Sequence, residues 1–347
     1  MIDIQSMIKF LKEYDGIPMR IMEVCGTHTA AISENGIPDI LSPQIKLISG
    51  PGCPVCVTVA SYIDRLIELA MQDNTCVVTF GDMIRVRGSE KSLSEATANG
   101  ASVKMVYSPL ELIEIAKADK STMFVFAAVG FETTTPIYAM LLEQITGEEI
   151  DNIRFLTALK TMPAVIDAVC SEGVSADGFI APGHVSVITG YEIFRPLAEK
   201  YRLPFAVAGF DAESLIEAIY TIVKMRGIGT VKNLYTKAVT RYGNEKAKDA
   251  VDKYFKPCST AWRGLGIIEN SGLLLRDEYK YLDAGSDILI SDAANNSGCR
   301  CKDVICGRIS PVECGLFGQH CTPSTPCGAC MVSTEGSCFN YFVNKRV

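Results

Sequence analysis

Basic charge is scarce in this sequence. Thirty-three Lys and Arg face forty Asp and Glu, a formal net charge of −7. That balance argues against a nucleic-acid partner, which selects a basic face. No apolar run approaches the ~18 residues of a membrane span. The N-terminal stretch MIDIQSMIKFLKEYDG is amphipathic and of mixed charge. It lacks the basic leader, long apolar stretch and small-residue cleavage site of a secretory signal. A cytoplasmic chain with no membrane and no nucleic-acid partner is the expectation. No G-x-x-x-x-G-K-[ST] occurs, so a P-loop is unsupported. The G-x-S-x-G elbow of hydrolases and the H-E-x-x-H of zinc proteases are missing too. Histidine is rare, with three in 347 residues.

Apolar residues and cysteine are plentiful. Apolar residues make up 48% of the chain, enough for two or three folded units of ordinary size. Fourteen cysteines in a cytoplasmic chain point to metal binding or redox chemistry more than to a disulfide framework. Cys25, Cys53, Cys56, Cys76, Cys170 and Cys258 are spread out, whereas the other eight crowd between Cys299 and Cys338. Two kinds of cysteine site are expected.

Up to about residue 225, short β-rich apolar runs alternate with amphipathic helical stretches, the signature of a parallel α/β architecture. The spacing predicts strands beginning at residues 19, 46, 75, 103, 123, 153, 178 and 205, and helices over 59–72 and 110–118. A weak repeat runs through this region. EVCGTHTAAI (23–32) parallels AVGFETTTPI (128–137), PGCPVCV (51–57) parallels PGHVSVI (182–188), and VVTFGD (77–82) parallels AVAGFD (206–211). The order suggests two similar Rossmann-like α/β domains, 1–117 and 118–227. A third unit, 228–347, would hold a mostly helical stretch (230–255) and then the cysteine-rich tail. That tail is rich in Gly, Pro, Ser and Thr and cannot build much core alone. A metal centre is expected to hold it.

The tail offers Cys314, Cys321, Cys327, Cys330 and Cys338 in loops stiffened by Pro and Gly. Four thiolates suit an iron–sulfur cluster. They suit structural zinc as well, although only Cys327 and Cys330 form the C-x-x-C knuckle that zinc favours. Cys299, Cys301 and Cys306 are alternative ligands. Upstream, MEVCGTHT places Cys25 at a strand end and His28 in the following turn, where open α/β sheets bind ligands. Thiolate and imidazole together suit iron, copper or zinc. SGPGCPVCVT is expected to end a strand and open a helix. A helix N-terminus there would lower the pKa of Cys53 and Cys56. This Cys-x-x-Cys reads as half a metal site, a redox dithiol or two buried thiols. Glu132 and Thr133 in FETTTP, and His184 in APGHVSVITG, occupy other strand-end loops. They are secondary candidates, with turn formation as the plainer role of the threonines. Cys76, Cys170 and Cys258 read as packed thiols.

Six segments together, MEVCGTHT, SGPGCPVCVT, VVTFGDMIRV, FAAVGFETTTP, PGHVSVITG and CTPSTPCGACMVSTEGSC, resemble the HypD family of hydrogenase-maturation proteins. They run in order from about residue 20 to the C-terminus. The resemblance implies two similar α/β domains and a C-terminal [4Fe-4S] domain. It implies a scaffold that acts with the small chaperone HypC to assemble the Fe(CN)2CO unit of [NiFe] hydrogenases. Cyanide would come from HypE with HypF. By resemblance, the iron-binding and redox residues are Cys25, His28, Cys53 and Cys56, with Cys25 and His28 on the iron. The cluster ligands would be Cys314, Cys321, Cys330 and Cys338. Cys327 departs from the family pattern, which has an aliphatic residue there, and could compete as a ligand. An ATPase activity is associated with the family, and no motif here places it. The alternative function is a stand-alone iron–sulfur thiol–disulfide oxidoreductase.

Overall fold

The computed structural model describes residues 3–173, 176–288 and 298–344. Its strands are β1 Met19–Glu23, β2 Ile45–Ser49, β3 Thr75–Thr79, β4 Val103–Met105, β5 Met123–Gly130, β6 Ile153–Lys160, β7 Gly178–Ala181, β8 Pro204–Val207, β9 Thr230–Asn233, β10 Phe255–Trp262 and β11 Gly266–Leu275. They form two sheets. One is five-stranded and parallel throughout, in the order β2-β1-β7-β8-β9. The other runs β10-β11-β6-β5-β3-β4. Its β4-β3-β5-β6 part is parallel, and the β10-β11 hairpin joins it antiparallel through β6. The chain is α/β with parallel-rich sheets.

The strand-forming runs are those that parallel sheets require. Every residue of β3 (TCVVT) is buried, as are all but the first of β5 (MFVFAAVG). Sheets covered on both faces take near-continuous apolar strands. No helix among the described residues is long and apolar enough to cross a membrane.

Three expectations are corrected here. The boundary at 117/118 does not follow the sheets, because each sheet draws strands from both sides of it. β1 and β2 pair with β7 to β9, while β3 and β4 pair with β5 and β6. Stretch 230–255 is not mostly helical. β9 takes its first four residues as an edge strand with Val231 buried against β8. The helix begins only at Glu245, where the Asn244 side chain caps it by accepting the Ala247 N–H at 3.1 Å. The tail also has more apolar packing than its composition suggested. Val304, Ile305 and Met331 are buried in one cluster with Val57, Phe131, Met162 and Trp262.

The topology places the candidate loops. After β1 the chain turns to β2 on one side, and after β7 it turns to β8 on the other. The crevice between β1 and β7 is therefore a switch point, where open α/β sheets bind ligands. The second sheet has the same arrangement between β3 and β5.

Candidate metal and redox site

Cys25 lies two residues past the end of β1 and occupies the cap position of the helix Gly26–Glu34. Its backbone is held from two sides. The Cys25 N–H donates to Glu23 Oε2 at 3.2 Å, and the Thr29 hydroxyl donates to Glu23 Oε1 at 2.6 Å. The Gly26 N–H donates to the Gly52 carbonyl at 3.0 Å, and the Gly50 N–H to the Glu23 carbonyl at 2.7 Å. Gly52 is required by this approach, since a Cβ on it would lie 2.2 Å from the Cys25 nitrogen. The CGTHT and GPGC loops are thus one packed unit.

Burial dominates the electrostatics of that unit. It pushes the Cys25 thiol up to about 12, with Glu335 and Glu23 adding to the rise and the His28 and Thr27 N–H groups opposing it. Burial also raises the Glu23 carboxyl to about 8, against hydrogen bonds from Thr29 and Cys25. His28 is fully buried, and the same desolvation lowers it to about 4. The imidazole is therefore neutral near pH 7. Its Nε2 lies 3.0 Å from the Gly209 carbonyl oxygen, whereas Nδ1 is buried with no hydrogen-bond partner among the described residues. A ring that donates through Nε2 leaves a lone pair at Nδ1. The ring packs on Phe210, which also stacks with His184 at 4.0 Å between centroids. His184 itself is exposed.

Cys53 and Cys56 are both buried and are joined in a disulfide. They do not sit at a helix N-terminus. The helix starts at Ala60, after a single turn closed by Val57 N–H to the Cys53 carbonyl. The ladder breaks at Thr58, whose hydroxyl takes the Pro54 carbonyl at 2.8 Å, and Arg263 binds the two carbonyls that follow Cys56. Its N–H donates to Val57 O at 2.8 Å and its Nε to Thr58 O at 2.6 Å. The expected helix-dipole lowering of these thiols has no basis in this geometry.

The tail reaches into both crevices. The Ala329 carbonyl lies 3.9 Å from the Cys56 sulfur. The Ser333 hydroxyl donates to Asp82, after β3, at 2.9 Å. The Thr27 hydroxyl donates to Glu335 at 3.3 Å, and a Cβ on Gly26 would lie 2.4 Å from that of Glu335. One short segment thus touches the Cys25 loop, the disulfide and the second sheet.

Just behind that segment, Cys299, Cys301, Cys314, Cys321, Cys330 and Cys338 line one small cavity together with Leu316 and Phe317. The four ligands implied by resemblance are all there. So are Cys299 and Cys301, while Cys306 is buried in the large apolar cluster and does not line the cavity. Cys327 stands outside, where its thiol faces the His320 and Thr325 carbonyls at 3.7 and 4.0 Å. It lines an open groove with Arg85 and Arg87 that adjoins the cavity, since Cys299 and Leu316 line both. Among the described residues no three donors are drawn in around one point as metal ligands would be. The donor set nevertheless fits an iron–sulfur cluster, because six thiols share one cavity where four are needed.

The secondary candidates divide. Glu132 is fixed by the Met162 N–H at 2.8 Å on Oε1, while its Oε2 is buried without a hydrogen-bond partner among the described residues. Burial raises this carboxyl to about 7. Thr133 is exposed, and Thr135 turns its hydroxyl back to the Phe131 carbonyl at 3.0 Å, the plainer structural role. Cys76 is packed, and Cys170 and Cys258 are half-buried. Sequence reasoning missed Glu23, Asp82, Phe210 and Glu335 as site residues. All four lie inside the motif segments of the sequence, Glu23 in MEVCGTHT, Asp82 in VVTFGD, Phe210 in AVAGFD and Glu335 in MVSTEGSC.

Comparison with known proteins agrees with the motifs. The family model described as "HypD: Hydrogenase formation hypA family" matches residues 3–345. The hydrogenase maturation factor HypD1 of Bradyrhizobium diazoefficiens is 40% identical over 341 residues, covering 94% of this chain and 90% of the relative. HypD of Rhizobium leguminosarum bv. viciae is 41% identical over 338 residues, 94% and 88% of the two chains. HypD of Escherichia coli is 36% identical over 338 residues, 95% and 90%.

Proposed function

This chain belongs to the HypD family of hydrogenase maturation factors, and we propose that it is the scaffold on which the Fe(CN)2CO unit is built, acting with HypC and receiving cyanide through HypE and HypF. The iron is cargo. Cys25 supplies its thiolate anchor, and the free lone pair on buried His28 Nδ1 supports His28 as the second contact. The Cys25 proton must leave when iron arrives, and the metal charge then offsets the burial that holds the thiol protonated. Two protein ligands leave the iron incompletely held, which suits a unit that has to be handed on.

The observation that carries the reading is contiguity. Gly52 packs on Cys25 and precedes Cys53, while Cys56 touches the carbonyl of Ala329, the residue before Cys330 in the thiol-lined cavity. A [4Fe-4S] cluster on Cys314, Cys321, Cys330 and Cys338 supplies one-electron chemistry. Opening the Cys53–Cys56 bond takes two electrons and two protons and yields two thiols beside the iron anchor.

The test is an infrared spectrum of the anaerobically purified chain, produced together with HypC and HypE. Cyanide and CO stretching bands that vanish in Cys25→Ala support the scaffold. A silent spectrum from cluster-loaded protein overturns it. That outcome favours a stand-alone iron–sulfur thiol–disulfide oxidoreductase, a reading that the disulfide beside the cavity also supports. Turnover of small disulfide substrates without HypC would then be the measurement.

A further inference from the structure

Six thiols line the tail cavity, and a cuboidal cluster binds four. The two in excess are Cys299 and Cys301. They differ in environment, since Cys299 is half-buried and Cys301 is 7% exposed. Cys301 opens the short helix Cys301–Ile305, and its sulfur lies 3.0 Å from that of Cys330. The Cys330 sulfur also meets the Cys338 thiol, but Cys338 belongs to the implied ligand set and Cys301 does not, so Cys301 is the neighbour that would keep its proton when the four ligands bind iron. The contact is built in. Gly328 lets the Cys299–Cys301 turn close over the cavity, because a Cβ there would lie 2.7 Å from the Cys299 sulfur and 3.4 Å from the Cys301 Cβ. Cys330 is 1% exposed, so solvent is shut out from its sulfur and hydrogen bonds to it come from the protein.

We propose that Cys301 is not an iron ligand but a positioning residue, whose S–H donates to the Cys330 sulfur and raises the reduction potential of the cluster. The physical basis is general. A hydrogen bond to a ligating sulfur withdraws electron density, so the more negative reduced cluster gains more from it than the oxidised one. The inference rests on the cluster reading above. It adds a role for one of the two thiols that the ligand set leaves over.

The experiment uses the full chain, reconstituted anaerobically with iron and sulfide, in wild-type form and as Cys301→Ala, Cys301→Val and Cys301→Ser. Iron and sulfide content, far-UV circular dichroism and an EPR-monitored redox titration are recorded for each. All variants are expected to hold wild-type iron and sulfide. The midpoint falls to more negative potential in Ala and Val, which lack a donor, and Ser restores it toward wild type through its hydroxyl. Val nearly fills the thiol's space, so it decides the matter if Ala disturbs folding. Loss of the cluster from a folded Val variant makes Cys301 a ligand and overturns the proposal. A loaded Val variant with the wild-type midpoint overturns it as well. Wild-type protein that takes up no iron and sulfide refutes the cluster reading itself, and the inference falls with it.

Discussion

Replacing Gly52 with alanine drives a methyl group into the backbone that carries Cys25. The new Cβ would meet the Cys25 nitrogen at 2.2 Å, the Val24 carbonyl carbon at 2.4 Å and the Cys25 Cα at 2.6 Å. Ordinary contact begins near 3.4 Å, so the two loops must part by about 1.2 Å. Every obstacle is main chain, and no side-chain rotation relieves it. Forced overpacking of this kind costs about 1–3 kcal/mol. Parting the loops also stretches the Gly26 N–H bond to the Gly52 carbonyl, now 3.0 Å, a further loss of about 1 kcal/mol. The expected destabilisation is about 2–4 kcal/mol. Trp262 reports it. It is the only tryptophan, it is fully buried, and it shares an apolar cluster with Cys53, Cys56 and Val57. Urea unfolding followed by its fluorescence should show a lower midpoint for Gly52→Ala. Native-state alkylation of Cys25 should also be faster. Gly147→Ala is the matched control. It ends the helix Thr135–Gly147 with nothing within 4 Å of its new Cβ, and a small gain of up to about 1 kcal/mol is expected. A wild-type midpoint and alkylation rate in Gly52→Ala would refute the packing argument.

Glu132 gives a pH signature. Burial lifts its carboxyl from 4.5 to about 7, so the folded state binds this proton more tightly than the unfolded chain. Its contribution to stability is complete below pH 4.5 and is lost as pH rises through 7, at most about 3 kcal/mol. Glu132→Gln lacks that slope, so urea midpoints of the variant should gain on wild type between pH 5 and 8. Parallel curves would contradict the burial of this group. Trp262→Ala removes the ring that stacks on Phe131 and donates to Ser271 at 2.8 Å. A loss of about 3–5 kcal/mol is expected, and a smaller one for Trp262→Phe, read by circular dichroism melting. Cys327→Val should leave iron and sulfide content at wild-type level, because this thiol faces the His320 carbonyl outside the cavity. A drop would make Cys327 a ligand.

Strands β1 to β8 were legible because each lies in a short apolar run between turn residues, a mark left most clearly by burial on both faces in β3, β5, β7 and β8 and carried in the edge strand β4 by the run VKMVY alone. The remaining three were not. β9 is an edge strand of four residues, TVKN, with one buried side chain. β10 carries Lys256 and Pro257 and alternates between half-buried and exposed positions through its middle. It is a strand because it pairs with β11, whose contact with β6 brings residues 159 and 160 opposite 273 and 272. The repeat was legible as strand-end loops and misleading as domain order. Its first and third pairs place one member in each sheet, whereas PGCPVCV and PGHVSVI follow strands of the same sheet.

The sequence by itself determined the chemistry on offer. Cys25 and His28 sit one helical turn apart after a strand, Cys53 and Cys56 are spaced for a disulfide, and a tail of cysteines, glycines and prolines can wrap a metal centre. These are properties of neighbours along the chain. Tertiary structure decided which of those groups meet. It interleaved the two sheets and sealed Cys25 and His28 from water. It spent Arg263 on the carbonyls beside Cys56 and laid Ala329 to Glu335 across both crevices. It also sorted the tail thiols, six into one cavity and Cys327 outside it. Spacing cannot report such outcomes, because burial and the ionisation it controls depend on atoms hundreds of residues away that only the completed fold brings into contact.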